Sequence, residues 1–415
     1  MTPREAAYLS LLASLRQENF ISTVLDNWQR KDNPSHLDYA FAQEIAYGSA
    51  RMALALDYLA SILSTNQKLT LKLKERALLR TALYQHVYMS KVPLYAIVNE
   101  TINLAKKHCH HRFANFLNAL LRKLVDGTPE LPQGASPESL SIRYSYPANF
   151  ISKLIAEFGL DRTVEILRIQ NKAPEVIVRL RPNAPANPSL VKLDDGVPAA
   201  VFKKGDSLTP IITSRDYYIQ NATPIALIQE LSVRTEIAPK KILDLCASPG
   251  GKLLAAHDYF PSAVLFANDV SPDKVHRLAE NLKKYEVDAH LTCGLGEDYP
   301  GSEKFDLIIL DVPCSNSGVL NKRPEARWRL APESLSDLKD KQLALMRHAA
   351  SLCATNGAIW YLTCSILKEE NDLIAEQAAK EYGLHLVYSK TILPNDKGYD
   401  GGFAALLKTE PQARL

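Results

Sequence analysis

Lys241-Ile242-Leu243-Asp244-Leu245-Cys246-Ala247-Ser248-Pro249-Gly250-Gly251-Lys252 decides the fold. Its first five residues read as a short buried strand, and two glycines follow where a helix is due to begin near Lys252. Paired glycines at a strand end let the backbone approach a ligand, and the free N–H groups of the next helix point toward it. The loop is not a P-loop, because Cys246 stands where G-x-x-x-x-G-K-[ST] needs glycine and Leu253 follows the lysine. It does not fit G-x-G-x-x-G either. A second strand, Ala263 to Ala267, ends at Asn268-Asp269, about 20 residues past the glycines, where an acidic side chain takes ribose hydroxyls. Ser271-Pro272 then opens a helix with an N-cap residue and a proline at the first position. A ribose acceptor without a phosphate cradle points to S-adenosylmethionine.

The pattern continues toward the carboxyl end. From Tyr218 onward apolar strands alternate with amphipathic helices, which predicts a parallel sheet with crossover helices. Phe305 to Leu310 runs into Asp311-Val312-Pro313-Cys314-Ser315, and Ala358 to Leu362 runs into Thr363-Cys364-Ser365. Both thiols therefore belong at strand ends, where open α/β sheets gather their ligands. A cysteine at a buried strand end is more often a small hydrophobe. That bland reading is given to Cys353, inside an expected helix, and to Cys293, while Cys246 lends its backbone to the cofactor loop.

Before this region the texture differs. Pro3 to Val125 carries apolar residues at three- and four-residue spacing with Gly48 as its only glycine, predicting an all-α domain of six to eight helices. Residues 1–130 hold 16 Lys and Arg against 11 Asp and Glu in a chain of net charge +3, so the basic excess lies here. That is consistent with nucleic-acid contact or with a solvated surface. Lys106-Lys107-His108-Cys109-His110-His111-Arg112 reads as a basic surface rather than a metal site, since adjacent residues of one helix face different ways. Asp126 to Pro137 is a turn-rich linker. Beyond it, a helix over Pro147 to Arg168, a strand over Val176 to Leu180 and a β-patterned piece around Val201 to Ile212 predict a small α/β module, with Arg179, Arg181, Lys203 and Lys204 as phosphate contacts. The six cysteines form no C-x-x-C pair, and no run of about 18 apolar residues occurs, so a cytoplasmic protein without a membrane partner is expected.

Four pieces together, Asp244 to Lys252, Asp269, Asp311 to Ser315, and Thr363 to Ser365 followed by Glu369-Glu370-Asn371, resemble the RsmB/Sun/Nop family of RNA 5-methylcytosine methyltransferases. Gln220-Asn221 is similar to that family's leading Q-D/N motif and Gly401-Gly402-Phe403 to its D-G-F-F ending. The helical residues resemble the transcription factor NusB at Leu79-Arg80, Tyr84-Gln85, Val92-Pro93 and Asn118 to Arg122. The resemblance covers essentially the whole chain. It implies a multi-domain protein: an all-α NusB-like RNA-binding domain over 1–126, a small α/β linker module over 138–214, and an α/β Rossmann-like methyltransferase domain dependent on S-adenosylmethionine over 215–415. This pairing is the RsmB arrangement, whose members methylate small-subunit (16S) ribosomal RNA.

The resemblance also implies roles. Cys364 is the nucleophile that adds to carbon 6 of cytosine, Cys314 assists release, Asp311 binds the cytosine edge, and Lys252 orients Asp311 or the ring. Cofactor contacts fall on Cys246, Ala247, Ser248, Pro249, Gly250, Gly251, Lys252, Asp269, Asp311 and the position of Leu295. Relatives carry an acidic residue at that last position for the adenine, and Leu295 cannot accept a hydrogen bond. Either Glu297 or Asp298 substitutes or cofactor affinity is reduced, and the second is favoured. Arg323, Arg327 and Trp328, beside Pro324 and Arg329, combine cations with an aromatic platform for single-stranded RNA; the plain alternative is a helix start with a packing tryptophan. Ribosomal RNA is the expected partner, with no metal and a monomeric state. The rival readings are a methyltransferase for transfer RNA or large-subunit RNA, and a catalytically weak assembly factor.

Overall fold

In the computed structural model, residues 1–64, 69–193, 196–330 and 332–409 are described, apart from the Arg329 side chain. Thr2 starts the first helix by accepting the Glu5 N–H, with Pro3 at the first helical position. Helices α1 (Pro3–Leu15), α2 (Ile21–Asp32), α3 (His36–Arg51), α4 (Ala53–Leu63), α5 (Leu73–Tyr88), α6 (Leu94–His108) and α7 (His111–Arg122) follow one another through the predicted all-α region. Ala7, Tyr8 and Leu11 bring α1 into the core, where α2, α3 and α5 pack on it. The basic histidine stretch serves this packing: Lys107 and His108 both reach Glu5 at 2.7 Å, and His110 accepts the Phe113 N–H to cap α7.

Helices α8 (Pro137–Tyr144), α9 (Ala148–Phe158) and α10 (Leu160–Gln170) belong to the same unit, which comprises Met1–Asn171 and Arg323–Trp328. This corrects the expected module over 138–214. Ser145 Oγ accepts the Ala55 N–H at 3.0 Å, supplying the amino end of α4 with a partner, and α8 packs along α4. A sequence pattern cannot reveal a cap supplied from 90 residues away.

The returning segment of this unit holds a second correction. Arg327 is fully buried. Its guanidinium donates to the carbonyls of Arg51 at 2.7 Å, Tyr144 and Ser145 at 3.2 Å and Gln170 at 3.2 Å, and to Asn171 Oδ1 at 2.7 Å, while lying 3.8 Å from the Tyr146 ring centroid. Those carbonyls are at the carboxyl ends of α3, α8 and α10, whose last carbonyls lack helical partners and carry the negative end of the helix dipole. Burial lowers the guanidinium pKa to about 10, which leaves it charged at neutrality. Arg327 is a packing residue, not an RNA contact.

The second unit, Lys172–Lys322 with Arg329–Leu415, holds two sheets. The small one is antiparallel, built from β1 (Ile177–Leu180), β2 (Leu190–Lys192), β3 (Ala199–Phe202) and β4 (Tyr217–Ile219) in the order β2-β3-β1-β4. Thr209–Thr213, where β pattern was expected, is a short helix, α11. Arg179 and Arg181 are not free for phosphate either: Arg179 donates to Gly251 O at 3.0 Å, and Arg181 pairs with Asp258 at 2.7 Å.

The large sheet contains β5 (Lys241–Asp244), β6 (Val264–Asp269), β7 (His290–Cys293), β8 (Phe305–Asp311), β9 (Cys353–Thr363), β10 (Leu384–Ile392) and β11 (Gly402–Thr409), in the order β10-β11-β9-β8-β5-β6-β7. Five strands, β5 to β9, run parallel, whereas β11 is antiparallel to both its neighbours, so the sheet is mixed rather than parallel throughout. Helices α12 (Ala222–Thr235), α13 (Gly251–Tyr259) and α14 (Pro272–Tyr285) cover one face; α15 (Pro332–Leu352) and α16 (Asp372–Tyr382) cover the other. Successive strand residues serve opposite cores: Ile242, Leu307 and Trp360 one, Leu243, Ile308 and Tyr361 the other. Ser271 stands at the N-cap of α14 but its side chain caps nothing. Cys353 is buried as expected but begins β9 instead of sitting in a helix, and Cys293 is exposed at the end of β7, not buried. No helix among the described residues is long and apolar enough to cross a membrane.

Candidate active site

The strand order reverses between β5 and β8, which opens a crevice at their carboxyl ends. Asp311 ends β8 and is registered against Leu362 of the parallel β9, so the segments after both strands leave the same edge. The two motif cysteines meet there, with Cys314 Sγ 2.9 Å from Cys364 Sγ. Backbone bonds tie the loops: Gly318 N–H donates to Cys364 O at 2.9 Å, and Gly401 N–H to Gly318 O at 2.7 Å. A side chain at Gly318 has no room, because its Cβ would lie 2.4 Å from Gly401 O. This crossing gives a physical reason for glycine ahead of β11. Asn316, at φ +61°, bridges both motifs, donating to Cys314 O at 3.0 Å and accepting from Cys364 Sγ at 3.2 Å.

The two thiols have unlike surroundings. Cys314 is buried, Cys364 half-buried. The hydrogen bond with Cys364, burial, and the neighbouring Glu370 carboxylate together push the Cys314 thiol well above the ordinary cysteine range. Beside them, Lys252 and Asp311 form an ion pair at the site, both partly exposed. Burial works against the Lys252 charge, but Asp311, followed by Cys364 and Asp244, outweighs it and raises the ammonium pKa. The crevice thus presents a cation, a carboxylate and two thiols.

On its other side is the glycine loop. Gly250, at φ +103°, precedes α13 and offers no side-chain cap, which leaves the amino end of that helix open to a ligand. Asp269 Oδ2 accepts the Ser248 N–H at 2.9 Å and, as a carboxylate oxygen, has a second acceptor position. Asp244 is fully buried, and its Oδ2 has no hydrogen-bond partner. Burial, then the nearby Asp311, pushes its pKa up to about 8. Open N–H groups, a ribose acceptor and an orphaned acid oxygen fit a cofactor carrying both a ribose and an amino acid. Leu295 is 49% exposed and opens the 3-10 turn Gly296–Asp298, with Glu297 half-buried and Asp298 exposed.

Several contributors escaped sequence reasoning. Ser315 and Ser365, each directly after a cysteine, both bond to Glu370, as does Gln342 of α15. In the sequence Glu370 stands only as part of the resemblance, and the repeated Cys-Ser pair is the signal that points to it. Arg323 and Trp328 are exposed, unlike Arg327 between them.

This sheet order, with a glycine loop at the switch point and an acidic residue ending the next strand, defines an S-adenosylmethionine-dependent methyltransferase fold. The solved structure of PH0851 has the same fold, with a TM-score of 0.79 at 21% identity over 99% of each chain. That of NSun6 from Pyrococcus horikoshii gives 0.52 at 15% identity, covering 64% of this chain and 99% of the other. The family described as 16S rRNA methyltransferase RsmB/F matches residues 235–408, and the NusB family matches residues 1–126. The ribosomal RNA small subunit methyltransferase B of Photorhabdus laumondii is 28% identical over 427 residues, and that of Escherichia coli K12 26% identical over 421, each covering 95% of both chains. Residues 235–408 thus carry an RsmB/F-type methyltransferase domain and residues 1–126 a NusB domain.

Proposed function

We propose that this chain methylates carbon 5 of a cytosine in small-subunit (16S) ribosomal RNA through a covalent cysteine adduct. The observation that carries the reading is the pair of thiols 2.9 Å apart beside Lys252 and Asp311. The names of the relatives, which specify small-subunit ribosomal RNA, support the substrate. The more accessible Cys364 adds as thiolate to carbon 6, with the Lys252 ammonium stabilising its charge. This makes carbon 5 enamine-like, able to form a bond to carbon. Asp311 accepts from the exocyclic amine and holds the ring as negative charge builds on it. Cys246 to Lys252, Asp269 and the Leu295 turn would hold S-adenosylmethionine, which would supply an electrophilic methyl group to carbon 5. Once Cys364 is bonded to carbon 6, its hydrogen bond, the largest cause of the raised Cys314 pKa, is gone. Cys314 releases its proton to solvent and as thiolate takes the proton from carbon 5; the electron pair of that C–H bond forms the 5,6 double bond, and the Cys364 sulfur leaves carbon 6.

The target base must be unpaired or turned out of its stack to present its ring. Arg323 and Trp328 are the surface residues proposed to receive the strand. Bisulfite sequencing of ribosomal RNA from cells lacking this chain tests the reading: one small-subunit cytosine loses its protection. Loss at a transfer or large-subunit RNA site changes the substrate, and no loss at any site rejects methylation at carbon 5.

A further inference from the structure

Each reactive thiol is followed by a serine, and both serines end on one carboxylate. Ser315 Oγ donates to Glu370 Oε2 at 2.5 Å and Ser365 Oγ to the same oxygen at 2.6 Å, while the Ser315 N–H donates to Oε1 at 2.8 Å. Gln342 Nε2 reaches Oε1 at 3.3 Å and also Pro313 O at 2.9 Å, which fastens the residue before Cys314. Glu370 is fully buried, and the Tyr361 hydroxyl holds its own carbonyl at 2.7 Å. All four groups facing the carboxylate are donors, which suits an acceptor without hydrogens of its own. The two loops come from different strands and are also tied by the Gly318 N–H to Cys364 O, by Asn316, and by Ser317 Oγ to Ser365 Oγ at 2.8 Å. Glu370 is the tie that reaches the serine after each cysteine, from a side chain that contacts neither sulfur.

We propose that Glu370 is a positioning residue that sets the spacing of Cys314 and Cys364 by holding the serine next to each. The inference rests on the reading that both thiols react. Its negative charge has a second consequence, because it is among the groups that keep the Cys314 thiol protonated. Glu370 thus helps make the two sulfurs unequal while keeping them adjacent.

Glu370→Gln sets an amide donor against a ring of donors and should let the loops separate. Spacing is read without RNA or methyl donor by treating the folded full chain with diamide. The probe is reduced to its hydrazine as the two thiols lose their hydrogens and join, and the Cys314–Cys364 peptide is followed by mass. The expected result is cross-linking slowed at least about tenfold, with kcat for methylation down about 100-fold and KM for RNA little changed. If Glu370→Gln does not fold, Ser315→Ala with Ser365→Ala carries the test, since it removes only two hydroxyls. Cross-linking within about twofold of wild type in a folded variant overturns the proposal. Slowed cross-linking in a chain that leaves no 5-methylcytosine would keep the clamp and reject the methylation reading; unchanged cross-linking with an inactive Cys364→Ala would do the reverse.

Discussion

Two buried or half-buried cations show how differently this chain uses charge. Arg327, in the helical unit, has its guanidinium surrounded by oxygens from three helix ends and by the Tyr146 face. Lys252, in the sheet unit, has one carboxylate and an open crevice beside two sulfurs. A cation whose two terminal nitrogens are both held by protein oxygens contributes structure, whereas one left partly open at a strand edge is available for chemistry. Basic character alone does not separate the two.

The largest effects should fall at the open edge. Cys364→Ala is expected to lower turnover by at least about 10⁴-fold. Cys314→Ala is expected to accumulate a protein–RNA adduct that survives denaturing electrophoresis; an adduct formed by Cys364→Ala instead would reverse the assignment. Arg327→Ala should act on stability, lowering the unfolding free energy by roughly 3 kcal/mol in urea, as buried carbonyls lose their donor, with RNA affinity of the folded chain retained. Unchanged stability together with lost RNA affinity would return Arg327 to the RNA surface and dissolve the contrast.

A subtler difference concerns pH. Because the folded Asp244 pKa is raised to about 8, the native chain keeps a proton that the unfolded chain has released. This contribution to stability is present in full below the unfolded pKa of about 4 and is lost as pH rises through about 8. Asp244→Asn, which cannot ionise, should therefore melt increasingly above wild type between those limits in the absence of cofactor. A pH-independent offset would contradict the assignment of that burden to Asp244. The smallest effect is expected at the RNA surface, where Trp328→Ala should weaken single-stranded RNA binding by about 1 kcal/mol and Arg323→Ala should reduce the salt slope by about one unit. Titrations at several salt concentrations separate the two.

The catalytic sheet was readable because apolar runs of strand length ended in residues with little reason to be there otherwise: Gly250-Gly251, Asp269, Cys314, Cys364. The number of helices in the first 125 residues followed from spacing in the same way. What could not be read was partnership across long sequence separations. Ser145 capping α4 moved α8 to α10 into the helical unit, and three helix ends converging on Arg327 turned an expected RNA ligand into core. Arg179 and Arg181 differ from the sequence expectation for the same reason, since Asp258 and the Gly251 carbonyl lie outside any local pattern. The sequence assigns Glu370 no role because a carboxylate's donors can only be counted once the loops are assembled.

The Arg323–Trp328 segment also constrains how the protein comes into being. Its residues complete the helical unit, yet they are encoded after Cys314 and before α15. During synthesis the first unit must wait, its three helix ends lacking their cation, until most of the sheet's strands have left the ribosome. Neither unit corresponds to one uninterrupted stretch of message. A gene cut between residues 171 and 172 would yield two incomplete products, so selection can trim or exchange the helical part only by also rewriting the region that follows the first cysteine motif.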